Sequence, residues 1–156
     1  MSGGGSSARS PRRRAREFAL QGVYQWLLAD HPVAAIEAHL KEVSGFDKAD
    51  QAMCFALLRG TLALAPTLEA EFGPFLDRPI AELSPVERAV LLLATYEFTQ
   101  CPKVPYRVVI NEAIELTKSF GGAEGHRFVN GVLDKLAPRL RAVEVSAATP
   151  GGSAAS

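Results

Sequence analysis

A run of arginines near the N-terminus is the most chemically distinctive feature of this sequence. Five of them precede the first acidic residue, Glu17: Arg9, Arg12, Arg13, Arg14 and Arg16. The whole chain is neutral, so the 12 basic and 17 acidic side chains that remain carry a net charge of −5. Helix N-termini already carry partial positive charge, which makes each cation there unfavourable by about 0.3–1 kcal/mol. The cluster therefore predicts a polyanionic ligand, whose phosphate oxygens guanidinium groups bind in pairs.

The choice of arginine and the helical geometry narrow the kind of polyanion. A planar guanidinium also stacks on unpaired bases, which favours single-stranded RNA over duplex DNA. At 100° per residue, Arg12 and Arg16 project from the same side as Ala15, so we expect the helix start to protrude beyond the core. Tyr24 lies within about 20° of Arg13 on the helical wheel and is either a stacking platform or a half-buried tyrosine. The alternative for the whole cluster is a solvated helix face.

The residue types that support catalysis or metal binding are scattered along the chain. The histidines and cysteines form neither an H-x-x-x-H nor a C-x-x-C pattern: His31, His39, His126, Cys54 and Cys101. Glycine-rich loops of the G-x-G-x-x-G and G-x-x-x-x-G-K-[ST] kinds do not occur. Glu112 and Glu115 share a helix face, but no histidine or nucleophile accompanies them, so solvated charges explain them better. We expect a protein that is not an enzyme, with no cofactor, no metal and two reduced core thiols.

Helical periodicity runs from residue 11 to about residue 140, and alternating strand patterns are nearly absent. Ser10-Pro11 predicts the start of a first helix, which His31-Pro32 ends. Gly45 ends the second helix, and Asp47 is expected to begin the third. Pro66 separates the third helix from a fourth.

The clearest boundary signal begins the fifth helix at SPVE. Ser84 can cap this helix, and Glu87 stands where a capping box needs a carboxylate. The helix is apolar on most of its surface and should be the most buried. Pro105 begins the sixth helix, and the seventh runs from about Glu124 to Leu136, with Pro138 just past its end. About seven helices joined by short loops predict an all-α, compact helical bundle.

The two ends of the chain differ from its middle. Residues 1–10 and 143–156 are dominated by Gly, Ser, Ala and Pro, with arginine in the first segment, and hold too little apolar surface to fold. We expect both segments to be disordered tails around one helical domain at residues 11–142. Neither a secretory signal nor a run of about 20 apolar residues occurs, so we expect a cytoplasmic protein.

Three stretches of the sequence resemble the NusB family. One is the arginine cluster from Arg12 to Glu17, followed by Ala19–Gln21 and Val23-Tyr24, and another is SPVERAVLLLATYEF at Ser84–Phe98. The third lies at Val104–Leu136, where NEAIELTKSFGG and FVNGVLDKL are the most specific segments. The resemblance covers about residues 11–140.

This resemblance implies two small helical subdomains packed together and a role in transcription antitermination at ribosomal RNA operons. NusB proteins bind boxA, a short single-stranded element of nascent RNA, together with NusE, a ribosomal protein of the small subunit. The pair then joins elongating RNA polymerase with other Nus factors.

The family's functional positions carry over to particular residues of this chain. Those implied to bind RNA are Arg12, Arg13, Arg14, Arg16, Tyr24, Lys118, Glu124 and Phe128. Glu87 matches a position at the partner-binding surface, and its capping role is an equally strong interpretation. One side chain could serve both.

Two other functions are compatible with the same features. A NusB-like domain also forms the N-terminal part of certain RNA cytosine methyltransferases, although no nucleotide-binding fold follows in this sequence. A bundle that binds only other proteins would leave the arginine cluster unexplained.

Overall fold

The computed structural model describes residues 9–148 and confirms an all-α fold. Within that range eight α-helices and three short 3-10 turns form, and no strand occurs. The chain divides into two compact units, one ending at Ala63 and the other beginning at Leu64. Residues 1–8 and 149–156, which belong to the two predicted tails, lie outside the described residues.

The helices follow the order of the predicted elements. Those of the first unit are α1 Pro11–Ala29, α2 Val33–Lys41 and α3 Gln51–Ala63. Those of the second are α4 Ala65–Phe72, α5 Pro85–Gln100, α6 Tyr106–Phe120, α7 Gly125–Leu140 and α8 Ala142–Ala148. The 3-10 turns are Phe46–Lys48, Gly73–Phe75 and Ile80–Glu82.

The first unit is built where α1 crosses its neighbours at close range. A Cβ atom at Gly22 of α1 would lie 2.8 Å from Cδ1 of Leu58 and 3.2 Å from Cγ2 of Ile36. Any larger residue at this crossing would force the Leu58 side chain to shift, because real Cβ atoms do not approach other atoms so closely. Beside it, the Phe46 ring packs edge-on against Phe18, with ring centroids 5.1 Å apart. These contacts fix the helix that carries the arginine cluster.

The second unit is centred on α5, as its apolar surface predicted. Its buried positions form an almost unbroken run: Ala89, Val90, Leu91, Leu92, Leu93, Ala94, Thr95, Glu97 and Phe98. The predicted cap is also present, since the Ser84 hydroxyl accepts a hydrogen bond from the Glu87 amide at 3.1 Å. On the surface of this helix, Arg88 makes a two-pronged ion pair with Glu69 of α4.

Two predicted helix boundaries were wrong. Asp47 lies within a 3-10 turn, and α3 begins only at Gln51, because Asp50 provides the cap by accepting the Met53 amide at 3.0 Å. At the other end of the chain, α7 continues through Pro138 to Leu140. The hydrogen bond that a proline cannot donate would have gone to the carbonyl of Asp134, a residue on the exposed side of the helix.

The predicted C-terminal tail also began too early. Residues 142–148 form α8, which is held by two charged side chains that a composition argument does not register. The buried guanidinium of Arg141 donates to the carbonyls of Phe98 at 2.7 Å, Cys101 at 3.0 Å and Glu97 at 3.1 Å. Its Nη1 donates to Glu144 at 2.6 Å.

Glu144 links this contact to the next helix. Its second carboxylate oxygen accepts the amide of Tyr106, the first residue of α6, at 2.8 Å. That backbone hydrogen bond, followed by the hydrogen bond from Arg141, holds the pKa of Glu144 below its ordinary value. Arg141 and Glu144 thus close the end of α5 and the start of α6 together.

In the described part of the chain, no single helix is long and apolar enough to cross a membrane. The consecutive segments Gln51–Ala63 and Ala65–Phe75 reach that length and composition only as a bent pair.

We expect Arg141→Ala to lower the free energy of unfolding by roughly 2–4 kcal/mol, because it leaves buried acceptors without a donor. The matched control is Arg139→Ala, since Arg139 is largely exposed and pairs with Glu71 at the surface. Such pairs contribute under about 1 kcal/mol. Urea unfolding of both variants measures the difference, and equal small losses would contradict the role assigned to Arg141.

Candidate nucleic-acid interface

The arginine cluster lies at the N-terminus of α1, as its capping signal predicted. The Ser10 hydroxyl accepts the Arg13 amide at 3.0 Å, and Pro11 is the first helical residue. The first turn contains no acidic side chain. Cations therefore stand where the helix dipole disfavours them, and an anionic ligand at this turn would be favoured by both the cations and the dipole.

The four arginines of α1 differ in their exposure. Arg12 is exposed, and Arg13 and Arg14 are half-buried. Arg16 is only 4% exposed, so the expectation that it protrudes with Arg12 was wrong. Arg16 has interaction partners within the protein, and a charge with partners can be buried where one without them cannot. The helical wheel correctly placed Arg16 on the same side of α1 as Ala15. It could not show that the rest of the protein covers that side and buries the Arg16 side chain.

Arg12 and Arg14 are the members of the cluster best placed to meet a ligand. Within residues 9–148 neither makes an ion pair or a side-chain hydrogen bond, whereas Arg9 pairs with Glu17 at 3.2 Å. Glu17, with a side chain 11% exposed, is thus directed to Arg9. The outer turn of α1 keeps an excess of positive charge in contact with solvent.

Tyr24 lies three turns further along α1, with 37% of its surface exposed. That exposure leaves part of its ring open to a stacking partner, although the rest of the residue packs against the protein. Leu28, one turn later, is 59% exposed and extends the apolar surface along the helix.

The second unit carries the other predicted residues around the turn between α6 and α7. Lys118, near the end of α6, is half-exposed and lies 3.7 Å from Glu115. Glu124 precedes α7, and its exposed side chain lies 3.4 Å from Arg127. Both ion pairs are local and solvated, so either side chain can exchange its partner for a ligand at little cost.

Phe128 has a neighbour that the sequence did not indicate. The guanidinium carbon of Arg78 lies 4.6 Å from the centroid of its ring. Arg78 stands in the loop between the second and third 3-10 turns and donates to both carboxylate oxygens of Asp77, at 2.7 and 3.2 Å. Fifty residues separate Arg78 from Phe128, and no local sequence pattern reports a contact over that distance.

Glu87 takes part in the cap of α5 through its backbone amide, while its carboxylate lies near the start of α7. A Cβ atom at Gly125, the first residue of α7, would be 3.1 Å from its carboxylate oxygen Oε2. The carboxylate is therefore close to the positive end of α7, which favours it. It also adds negative potential at Arg78, whose pKa is raised first by the hydrogen bond that Arg78 donates to Asp77 and to a lesser extent by Glu87. Glu87 is half-buried, so part of it remains accessible to a partner.

The described residues contain no group of three or more His, Cys, Asp or Glu side chains that could hold a metal ion. Burial raises the pKa of the Cys54 thiol to about 12, so this thiol is protonated at neutral pH. The chemistry that these surfaces offer is charge pairing and stacking.

The sequence model of the NusB family matches residues 13–138, which spans both units and every candidate residue except Arg12. The chain belongs to the NusB family. The resemblance seen in the sequence is thereby confirmed. It is 63% identical over 141 residues to the transcription antitermination protein NusB of Aromatoleum aromaticum, covering 90% of this chain and 97% of the relative.

Further NusB proteins agree in sequence and in fold. The transcription antitermination protein NusB of Ralstonia pickettii is 61% identical over 140 residues, covering 90% of each chain. A solved NusB structure from T. maritima, 31% identical, superposes with a TM-score of 0.72 over 83% of this chain and 92% of that one. A structure of antitermination factors NusB and NusE in complex with dsRNA has a TM-score of 0.71 at 22% identity, covering 81% and 95%, and supports the fold alone.

Two arginines of the cluster should respond differently to substitution in this NusB-family chain. Arg16→Ala removes a buried side chain that has partners and should lower the free energy of unfolding by about 1–3 kcal/mol. Arg12→Ala removes an exposed cation from a helix N-terminus and should change stability by less than about 0.5 kcal/mol in either direction. Thermal and urea unfolding of the two variants test this. A destabilised Arg12 variant beside an unaffected Arg16 variant would reverse the assignment.

Proposed function

We propose that this chain is a transcription antitermination factor that acts by binding RNA and a protein partner, and not by catalysis. The observation that carries the proposal is its 61–63% identity to antitermination proteins over 90–97% of their length. The surplus of arginine at the start of α1 supplies the physical basis for the RNA part. The cytoplasm, where nascent RNA is made in bacteria, is the location we propose.

RNA binding is proposed for two sets of residues, one in each unit. In the first unit these are Arg12, Arg13, Arg14 and Tyr24, which combine guanidinium groups with a partly exposed ring. We assign Arg16 a positioning role within α1, because its side chain is buried. In the second unit the set is Lys118, Glu124 and Phe128. The ligand we propose is single-stranded, boxA-type RNA, since stacking needs bases that are not paired.

The proposed protein partner is NusE, which is present together with NusB in a solved structure of this fold. The net charge of −5 after the arginine cluster suits a basic ribosomal protein. Glu87 is the candidate contact. Two proteins that share one RNA raise each other's effective concentration on it, so the pair should bind RNA more tightly than either alone.

The alternatives are less well supported. A domain of an RNA cytosine methyltransferase would have relatives much longer than this chain, whereas the relatives above are covered over 90–97% of their length. If the chain bound only proteins, there would be no explanation for the arginines at the N-terminus of α1, where the helix dipole is already positive.

Replacing Arg12, Arg13 and Arg14 together by Ala tests the RNA proposal. Each phosphate contact contributes about 0.7 to the slope of log affinity against log salt concentration for single strands. The triple variant should reduce that slope by up to about 2, while the helical circular dichroism stays the same. Fluorescence anisotropy with labelled boxA-type RNA at several salt concentrations measures it.

The control removes three exposed cations from other helices and loops, in Lys48→Ala, Lys103→Ala and Arg107→Ala combined. Equal loss of slope in the control would show that net charge, and not the cluster, determines binding. A duplex of the same sequence forms a second arm, because a solved relative contains dsRNA. Equal affinity for duplex and single strand would contradict base stacking while leaving RNA binding in place.

Glu87→Lys tests the partner surface. Like charge should weaken the complex with NusE by roughly tenfold or more, which corresponds to at least about 1.4 kcal/mol. RNA binding by the isolated chain should change much less. Isothermal titration with purified NusE measures the loss, with the exposed Glu42→Lys of the first unit as the control for charge reversal. Because Glu87 lies against Gly125, melting temperatures are compared in parallel. A stable variant with full affinity for NusE would leave Glu87 with a capping role only.

A further inference from the structure

Arg78 and Phe128 lie against each other and together form a partly exposed patch of the second unit. Two hydrogen bonds to Asp77 fix the plane of the guanidinium, and the aromatic ring lies 4.6 Å from its carbon. The Arg78 side chain remains 41% exposed and that of Asp77 67% exposed. Asp77 occupies one edge of the guanidinium and Phe128 lies on one side of it, so the other side is open to a planar group.

Gly131 stands near this pair in the middle of α7, where glycine destabilises a helix. It is exposed, and a Cβ atom there would meet no atom of the described residues within 4 Å. Its φ is not positive, since Gly45 is the one glycine with that geometry among residues 9–148. Nothing in the described structure therefore requires glycine at this position. A close approach from outside the chain would require it.

Gly131 lies on the same face of α7 as the stacked ring. At 100° per residue it is 60° from Phe128 and 40° from Lys135, and the latter two are only 20° apart. Lys135 is exposed and acts electrostatically on the Asp77 carboxylate, so it lies close to the same loop. A stacked cation, a gap without a side chain and a second cation thus lie along one face.

We propose that this face of α7 binds one base of the RNA, stacked on the guanidinium of Arg78 above Phe128. The missing side chain at Gly131 lets the attached sugar and phosphate approach the helix, and the Lys135 ammonium pairs with a phosphate. This inference rests on the RNA binding proposed above and names Arg78, Gly131 and Lys135 as further residues of it. A base is flat, so it can stack on the guanidinium of Arg78 and pass close to the helix where Gly131 has no side chain. Its phosphate carries the negative charge that can pair with the Lys135 ammonium.

Arg78→Ala and Arg78→Lys separate stacking from charge. Loss of a stacked base lowers affinity by roughly 5- to 150-fold in alanine variants. Lysine keeps the charge but has no plane, so Arg78→Lys should lose nearly as much affinity as Arg78→Ala. The matched control is Arg107, whose guanidinium lies 5.2 Å from the Tyr106 ring on another helix. Arg107→Ala and Arg107→Lys should leave the affinity unchanged.

Abasic sites in the RNA identify the stacked base. Single abasic nucleotides are placed in turn along a boxA-type oligoribonucleotide, and each is titrated against wild type and Arg78→Ala. One position should weaken wild-type binding by several-fold and have little effect on the variant. Additive losses at every position would overturn the stacking. A tighter complex with Arg78→Ala would show that Arg78 covers Phe128 and must leave, which would also overturn it.

Gly131→Ala distinguishes an RNA contact from a purely structural role, because the two measured quantities should change in opposite directions. Alanine favours the helix, so the melting temperature should rise by about 2–4 °C. RNA affinity should nevertheless fall, and Gly131→Leu should lower it further. Unchanged RNA affinity in both variants, or a loss of NusE binding alone, would overturn the proposal in favour of no contact or a protein contact at this face.

The outcome for the wild-type chain separates the two proposals. If it binds RNA with a salt slope that depends on Arg12, Arg13 and Arg14, while variants of Arg78 and Gly131 bind normally, only the present inference fails. If it binds no RNA alone or with NusE, both fail.

Discussion

One buried cation sets the arrangement on which the second unit's surface depends. The last carbonyls of a helix have no partners within it, and at the end of α5 the guanidinium of Arg141 supplies them. The same group holds Glu144, which accepts the first amide of α6. A charge out of water is unfavourable unless it is paired and hydrogen-bonded, and Arg141 has an ionic partner and three carbonyl acceptors. Because α6 leads through residues 121–124 into α7, the anchoring also determines where Phe128 is presented.

The first unit treats its charges differently, by dividing them between the inside and the outside. Arg16 is enclosed with partners, and Glu17 is engaged by Arg9, so neither contributes much to the field in solvent. Arg12 and Arg14 keep theirs. The helix is held in place by apolar contacts such as those around Gly22, which involve no titratable group. Because α1 is attached by apolar contacts and its outer turn is charged, we expect ionic strength to change the affinity for RNA much more than it changes the stability of the fold.

Sequence reasoning succeeded where the determining interaction is local. Ser84 caps α5 because the hydroxyl and the amide it binds are three residues apart, and a pattern of that length is visible in a sequence. It failed where two nearby residues could each begin the same helix and only the tertiary structure decides between them. Asp47 and Asp50 could both cap α3, and the structure uses Asp50. It also failed where contacts are distant. The burial of Arg16 depends on what surrounds the helix, and the pairing of Arg78 with Phe128 joins a loop to a helix fifty residues away.

The two places where this chain accepts a less stable helix have something in common. Cations at the start of α1 oppose the helix dipole, and Gly131 weakens the middle of α7, where an alanine Cβ atom would meet no described atom within 4 Å. Each helix also contains deeply buried residues, among them Ala15 in α1 and Val132 in α7. Burial of that kind stabilises the helix by more than either feature destabilises it, so the loss stays confined to the solvent side. A destabilising residue on the exposed face of a firmly packed helix is expected when that residue contacts a ligand and does not contribute to the core.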